Sequence, residues 1–120
     1  MSRPQELEHE LTSEVRRLVD RLATLSVERL SVSAPPYDSP AAAAHTLAQL
    51  FVDVTADLER NDAVPSLPWV DELVVADQLA VTAQDFRAAW DARRDDAPRV
   101  DDRRLTDLLK EVRRVRFAVR

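Results

Sequence analysis

Two acidic residues, Asp53 and Asp57, are the first candidates for chemistry in this sequence, because they stand four residues apart. On a helix this spacing places both carboxylates on one side, where their oxygens could bind Mg²⁺ or Mn²⁺. Asp77 could add a third carboxylate. The pair lies on the flank of its segment, and solvated charge is the commoner reason for such a pair. A metal-dependent hydrolase is therefore an alternative function and not the leading one.

Other residue types limit the possible chemistry. The chain has no cysteine, which excludes disulfides, thiolate nucleophiles and cysteine-bound metals. It has no glycine, which excludes the glycine-rich loops that bind nucleotide phosphates. Glu6 and His9 have the Glu-x-x-His spacing of di-iron bundles, but His45 has no acid three residues before it, and both histidines are predicted to face solvent. The sequence therefore predicts no catalytic, cofactor-binding or metal site and no enzyme activity.

Composition predicts a soluble, cytoplasmic protein with one domain over residues 1–120. The hydrophobic fraction of 45% is sufficient for a core. No apolar run approaches the roughly 20 residues that a membrane-spanning helix needs. The first ten residues are polar and acidic and lack the apolar stretch of a signal peptide. We therefore expect no membrane partner.

The absence of glycine also indicates the fold class. Glycine supplies the positive φ angles of tight hairpins, so a chain with none and with seven prolines is typical of helices joined by proline-containing connections. Apolar residues recur at steps of three and four in four segments. These segments predict an all-α, antiparallel up-and-down four-helix bundle. They cover about 5–30, 40–60, 68–94 and 101–120.

The ends of the second and fourth helices carry specific signals. Ser39 followed by Pro40 predicts an N-cap and a first helical residue, and Asn61 predicts a left-handed residue that ends the same helix. Asp101 is the predicted N-cap of the fourth helix, and Val100 before it could pack against that helix.

The extent of the third helix has two alternatives. It is predicted to start near Pro68, with Ser66 as a candidate cap. Thr82 could cap a new helix, so the segment could also kink or split near Val81. A continuous or kinked helix is favoured over two separate ones.

Three polar residues occupy positions that the apolar stripes would bury. On a helical wheel that starts at Trp69, Asp77 and Gln84 lie seven residues apart on one ridge between apolar lines. Arg116 occupies a similar position on the last helix. These side chains could simply reach solvent between helices, but a buried carboxylate would need a partner. One hypothesis is an ion pair between Arg116 and Asp77 at the edge of the core.

The third segment is apolar over more of its circumference than a single bundle can cover. Such a helix is either central or covered on its outer side by another chain. We therefore expect a homodimer whose seam contains Trp69, Val70, Val74 and Val81.

The last helix offers a second surface, because residues 101–120 carry seven basic against four acidic residues in a chain of net charge −5. This basic end could contact an acidic protein partner, while nucleic-acid binding is less favoured in an acidic protein. The leading function is a non-catalytic, self-associating helical interaction or regulatory module. The alternatives are a Mg/Mn hydrolase of the helical pyrophosphohydrolase type and a nucleic-acid-associated helical protein.

Overall fold

Helices dominate the chain. The computed structural model describes residues 3–93 and 102–119, and this part of the chain contains no strand. The predicted all-α bundle is confirmed. None of the described helices has the length and apolar character needed to cross a bilayer. The helices are α1 (Arg3–Thr24), a short α2 (Val27–Leu30), α3 (Pro40–Leu58), α4 (Val75–Arg93), which follows a 3₁₀ turn at Glu72–Val74, and α5 (Asp102–Val119).

The first predicted helix is divided in two. Its apolar stripe is buried as expected, but α1 ends at Thr24 instead of continuing to Leu30. The Thr24 hydroxyl donates to the Arg21 carbonyl oxygen at 2.7 Å, and the Ser26 hydroxyl accepts the Arg29 amide at 3.2 Å. Because Ser26 caps a new helix, the chain turns here and Leu30 is buried from a different direction.

The start of α3 is as predicted, and its end differs by one residue. The Ser39 hydroxyl accepts the Ala42 amide at 3.0 Å, and Pro40 is the first helical residue. At the other end, Arg60 has the positive φ of 56°, not Asn61. The Asn61 amide donates to Ala56 O at 2.8 Å, which completes a Schellman ending with Arg60 in the left-handed position. The Asn61 side chain instead accepts the Ala63 amide at 3.1 Å.

A long extended connection follows α3 and returns along the same helix. The Gln49 side chain accepts the Leu67 amide at 2.6 Å and donates to Pro65 O at 3.0 Å. His45 Nε2 donates to Leu67 O at 2.9 Å, since a carbonyl oxygen can only accept. The predicted short connection is therefore a segment of residues 59–74 that runs from one end of the bundle to the other.

This return makes α3 and α4 parallel neighbours. Phe51 packs against Phe86 with ring centroids 5.6 Å apart, and the Arg93 guanidinium donates to the carbonyl oxygen of Leu58. In each pair the residue of α4 comes 35 residues after the residue of α3. Because this offset is the same at two places along the helices, α3 and α4 run in the same direction. A strict up-and-down order would have required them to be antiparallel.

Ion pairs give the direction of the remaining helices. Glu10 pairs with Arg113, and Glu14 pairs with Arg116, so α1 and α5 also advance together. On the other side of α5, Asp57 at the end of α3 pairs with Arg104 near the start of α5.

The predicted up-and-down order is thus replaced by an up-down-down-up order. Tyr37 lies just before α3, and the charges of Glu111 and Arg114 in the second half of α5 both affect its pKa. This proximity agrees with antiparallel packing of α3 and α5. Around the bundle the neighbours are α1, α5, α3 and α4, with α4 returning to α1. The difference from the prediction has one cause, the length of the connection between α3 and α4.

The third predicted helix starts seven residues later than Pro68. Asp71 caps the 3₁₀ turn that precedes it, and its carboxylate accepts the Leu73 amide at 2.8 Å. Ser66, the candidate cap, lies in the extended connection. From Val75 onward α4 is one continuous helix, without the split considered near Val81 and Thr82. Its buried face consists of Val75, Ala76, Leu79, Thr82, Phe86, Ala89 and Trp90.

The last helix, α5, buries the stripe that the sequence predicted. The predicted cap Asp101 and the preceding Val100 lie outside the described residues. The buried stripe of α5 is Leu105, Leu108, Leu109, Val112, Val115 and Val119.

Aromatic rings pack at the centre of the core. Phe51 is fully buried there, and the rings of Phe86 and Trp90 continue the contacts along α4 with centroids 5.8 Å apart.

Replacement of Gln49 by alanine should detach the returning segment from α3. The variant loses the bonds to Leu67 and Pro65, and we expect the free energy of unfolding to fall by about 1–2 kcal/mol. Urea unfolding measures this loss, and hydrogen exchange of the Leu67 amide should become faster. Thr46→Ala, at an exposed position on the same helix, is the matched control. An equal effect of both substitutions would show that Gln49 does not hold the segment.

Candidate functional site

An apolar patch lies where the returning segment leads into α4. The patch is formed by Trp69, Val70, Leu73, Val74 and Val81, and four of these side chains are exposed by 47%, 56%, 64% and 55% in the order Trp69, Val70, Leu73 and Val81. Val74 is half-buried. Val81 lies two helical turns beyond Val74 and therefore on the same side of α4. Large apolar side chains that remain this exposed at one junction of the chain indicate an interaction surface.

The patch contains the predicted interface residues but not in the predicted form. Trp69 and Val70 belong to the extended segment, so they do not lie on a helical face with Val81. The edge of the Trp69 ring contacts His45, with ring centroids 5.4 Å apart. His45 is thereby half-buried and hydrogen-bonded, which corrects its prediction as an ordinary surface residue, whereas His9 is exposed as predicted. The wheel that placed all four residues on one helix began six residues too early.

The residues predicted as candidate buried polar residues are not buried. Asp77 and Gln84 are both exposed, because α4 turns the face that contains Leu79 into the core and they lie on the other side. Arg116 is also exposed, with 43% of its side chain accessible, and it pairs with Glu14 of α1 instead of Asp77. The hypothesis of an Arg116–Asp77 pair is therefore wrong.

Two polar residues with structural roles were missed in the sequence. Thr82 is the buried polar residue of α4, and its hydroxyl donates to Leu79 O at 3.2 Å within the same helix. Glu14 is only 12% exposed and lies beside two arginines, Arg17 at 3.6 Å and Arg116. Glu14 lies one helical turn before the apolar residue Leu18. A carboxylate so close to the apolar stripe was the signal in the sequence that this side chain would be partly buried.

A basic groove lies between α1 and α5. Arg17, Arg21, Arg113 and Arg116 line it together with Phe117, whose side chain is 67% exposed. The groove combines basic residues of two helices because α1 and α5 are parallel and adjacent. The predicted basic end of the chain is therefore extended by two arginines of α1.

Acidic neighbours neutralise only part of this charge. Glu10 accepts a hydrogen bond from Arg113 at 2.8 Å, and Glu14 forms ion pairs with both Arg116 and Arg17. Four guanidinium groups with two carboxylates leave a local excess of positive charge, which favours an anionic partner.

The candidate metal-binding acids are not brought together. Asp53 and Asp57 border a groove of about 1130 Å³ between α3 and α5, whereas Asp77 lies on the outer side of α4. Asp57 is paired with Arg104 at 2.6 Å, and Asp53 accepts from Gln49 at 2.9 Å. Over residues 3–93 and 102–119, no three His, Asp or Glu side chains are grouped so that they could hold a metal ion.

The groove between α3 and α5 also contains the single tyrosine of the sequence. Burial raises the pKa of the Tyr37 hydroxyl above its usual value, and the negative charge of Glu111 raises it further. The positive charge of Arg114 opposes this rise. Tyr37 therefore remains neutral in the folded protein at a pH where an exposed tyrosine begins to ionise.

Spectrophotometric titration at 295 nm should detect this pKa, because Tyr37 is the only tyrosine. We expect a midpoint above pH 10 in the folded protein and a return to about 10 in concentrated urea. Since the unfolded chain loses the proton first, stability should decrease as the pH rises above about 10. Tyr37→Phe should show a smaller decrease over the same range. Equal midpoints with and without urea would contradict the assignment.

Glu14 and Asp77 should differ in their effects on stability. Glu14→Gln weakens the contacts with Arg17 and Arg116, and we expect a loss of about 1 kcal/mol in the free energy of unfolding. Asp77→Asn, at an exposed position, should change it by less than half of that. Urea unfolding of the two variants at the same ionic strength makes the comparison. A larger loss of stability for Asp77→Asn than for Glu14→Gln would contradict the assignment of Glu14 as the partner of Arg116.

Comparison with known proteins adds no relative to this description. No family model, no curated protein and no solved structure matches the chain. The functional inference therefore depends on the surfaces and contacts of this chain alone.

Proposed function

We propose that this chain is a non-catalytic helical interaction module that forms a homodimer through the apolar patch. The observation that carries the proposal is the exposure of Trp69, Val70, Leu73 and Val81, each about half or more accessible. Covering such side chains is favourable in proportion to the apolar area removed from water, at about 25 cal/mol per Å². Aromatic and large aliphatic side chains are also the residues that dominate the centres of protein interfaces.

The surroundings of the patch support a protein partner over a small ligand. The patch is an exposed surface next to the acidic residues Asp71, Asp77 and Asp85, which are themselves exposed. An apolar centre with a charged rim is the usual anatomy of a protein interface. A second copy of the chain would supply a matching apolar surface, since a two-fold interface uses the same patch on both subunits.

The basic groove is the proposed surface for a further partner. Its four arginines come from α1 and α5, while the apolar patch belongs to the returning segment and α4. Arginine donors recognise carboxylates with two parallel hydrogen bonds, and the exposed Phe117 adds apolar contact area. An acidic protein segment is therefore the proposed partner of this groove. In this proposal the module links its own dimer to a second protein.

Sedimentation equilibrium or light scattering at tens of micromolar tests the dimer. We expect twice the mass of 13.6 kDa for the wild type and a monomer for the double variant Val70→Asp/Leu73→Asp. Introducing two charges into the interface should raise the dissociation constant at least about 100-fold, since unpaired buried charges cost several kcal/mol.

Ala23→Asp is the control, because Ala23 is exposed on α1, a helix that contributes no residue to the patch. It should leave the mass unchanged. Circular dichroism verifies that each variant remains helical. A wild-type monomer throughout this concentration range would end the proposal.

A further inference from the structure

A cleft of about 380 Å³ opens between α1 and α4 on a different side of the bundle from the basic groove. Its α4 wall is low, because Ala80 and Ala83 are small and only half-buried. Phe51 of α3 and Leu105 of α5, both fully buried, lie beneath the cleft. The cleft is therefore a depression at the surface between two helices, and the close-packed interior continues below it.

The inner surface of the cleft is apolar. Its volume lies within the range of small-molecule sites, which are concave and lined mainly by hydrophobic and aromatic side chains. Apart from Phe51 and Leu105, the apolar lining comes from α1 and α4 and includes Leu11, Val15, Phe86 and Trp90.

Two arginines border this cleft from opposite walls, Arg16 on α1 and Arg87 on α4. Within the described part of the chain, neither guanidinium has an ion-pair partner. Glu8 and Asp20 also border the cleft; Glu8 already has an interaction partner, and Asp20 has no ion-pair partner among the described residues. Two guanidinium groups and one carboxylate at the mouth leave an excess of positive charge, which favours an anionic group.

We infer that the cleft between α1 and α4 binds an elongated apolar molecule that ends in a carboxylate. The apolar chain of the ligand occupies the space above Ala80 and Ala83, and its carboxylate accepts hydrogen bonds from Arg16 and Arg87. A cationic end group would be repelled by both arginines, and a neutral one would leave their donors unused. This site is independent of the proposed dimer, since it shares no residue with the apolar patch.

Decanoate, below its micelle concentration, is a suitable probe. The sequence has two tryptophans, so in a Trp69→Phe background the fluorescence comes from Trp90, which lines the cleft. We expect a saturable change in Trp90 emission with decanoate and binding about tenfold weaker with decanol, which lacks the charge. Absence of a saturable change with decanoate would overturn the inference.

Two sets of variants locate the site. Ala83→Leu fills the cleft and should abolish the change, whereas Ala88→Leu, on an exposed position of the same helix, should not. Arg16→Gln/Arg87→Gln should weaken decanoate binding about tenfold and leave decanol binding unchanged.

The arginine variants decide the question even if Ala83→Leu does not fold, because both replaced side chains are exposed. Unchanged preference for decanoate over decanol in the double arginine variant would overturn the assigned ligand chemistry. Unchanged binding in a folded Ala83→Leu variant would overturn the site itself.

Discussion

The hydrogen bonds of the Gln49 side chain with Pro65 and Leu67 hold the connection after α3 against the helix from which it came. His45 adds a third bond to the same stretch. Because the chain returns to the starting end of α3, α4 must run parallel to α3, and α5 must then run parallel to α1. The order of the helices, the start of α4 and the position of the apolar patch all follow from this attachment. A few polar contacts between a helix and an extended segment thus determine how four amphipathic helices share one core.

The resulting bundle separates its surfaces by chemistry. The parallel arrangement of α1 and α5 places Arg17 and Arg21 beside Arg113 and Arg116, which concentrates positive charge on one side of an otherwise acidic protein. The segment that leads into α4 leaves large apolar side chains accessible, as Leu73 with its exposure of 64% illustrates. Between α1 and α4, the small residues Ala80 and Ala83 leave a cleft at the surface. Each of these features depends on which helices are neighbours and not on any single helix.

The apolar periodicity predicted most of the buried residues of α1, α3 and α5, since a stripe at helical spacing can be buried in only one way. The start of α3 followed from a different local signal, a capping serine before a proline at Ser39–Pro40. The predictions were wrong where local signals compete. Ser26 could continue a helix or cap a new one, and the positive φ expected at Asn61 is adopted by Arg60. On α4 several apolar lines compete for the core, and Asp77 and Gln84 lie beside one that stays exposed. None of these choices can be made from residue types alone, since the alternatives differ by contacts with distant parts of the chain.

By itself the sequence determined that the chain would be helical and which residues of three long helices would be buried. The reason is local: without glycine, and with prolines at the starts of periodic segments or between them, few other backbone conformations were accessible. The tertiary structure decided the direction of the helices, the partner of Arg116 and the surface on which Trp69 and Val70 lie. These depend on contacts across the fold, such as Gln49 with Leu67 and Glu14 with Arg116, whose energies exist only once the helices have packed.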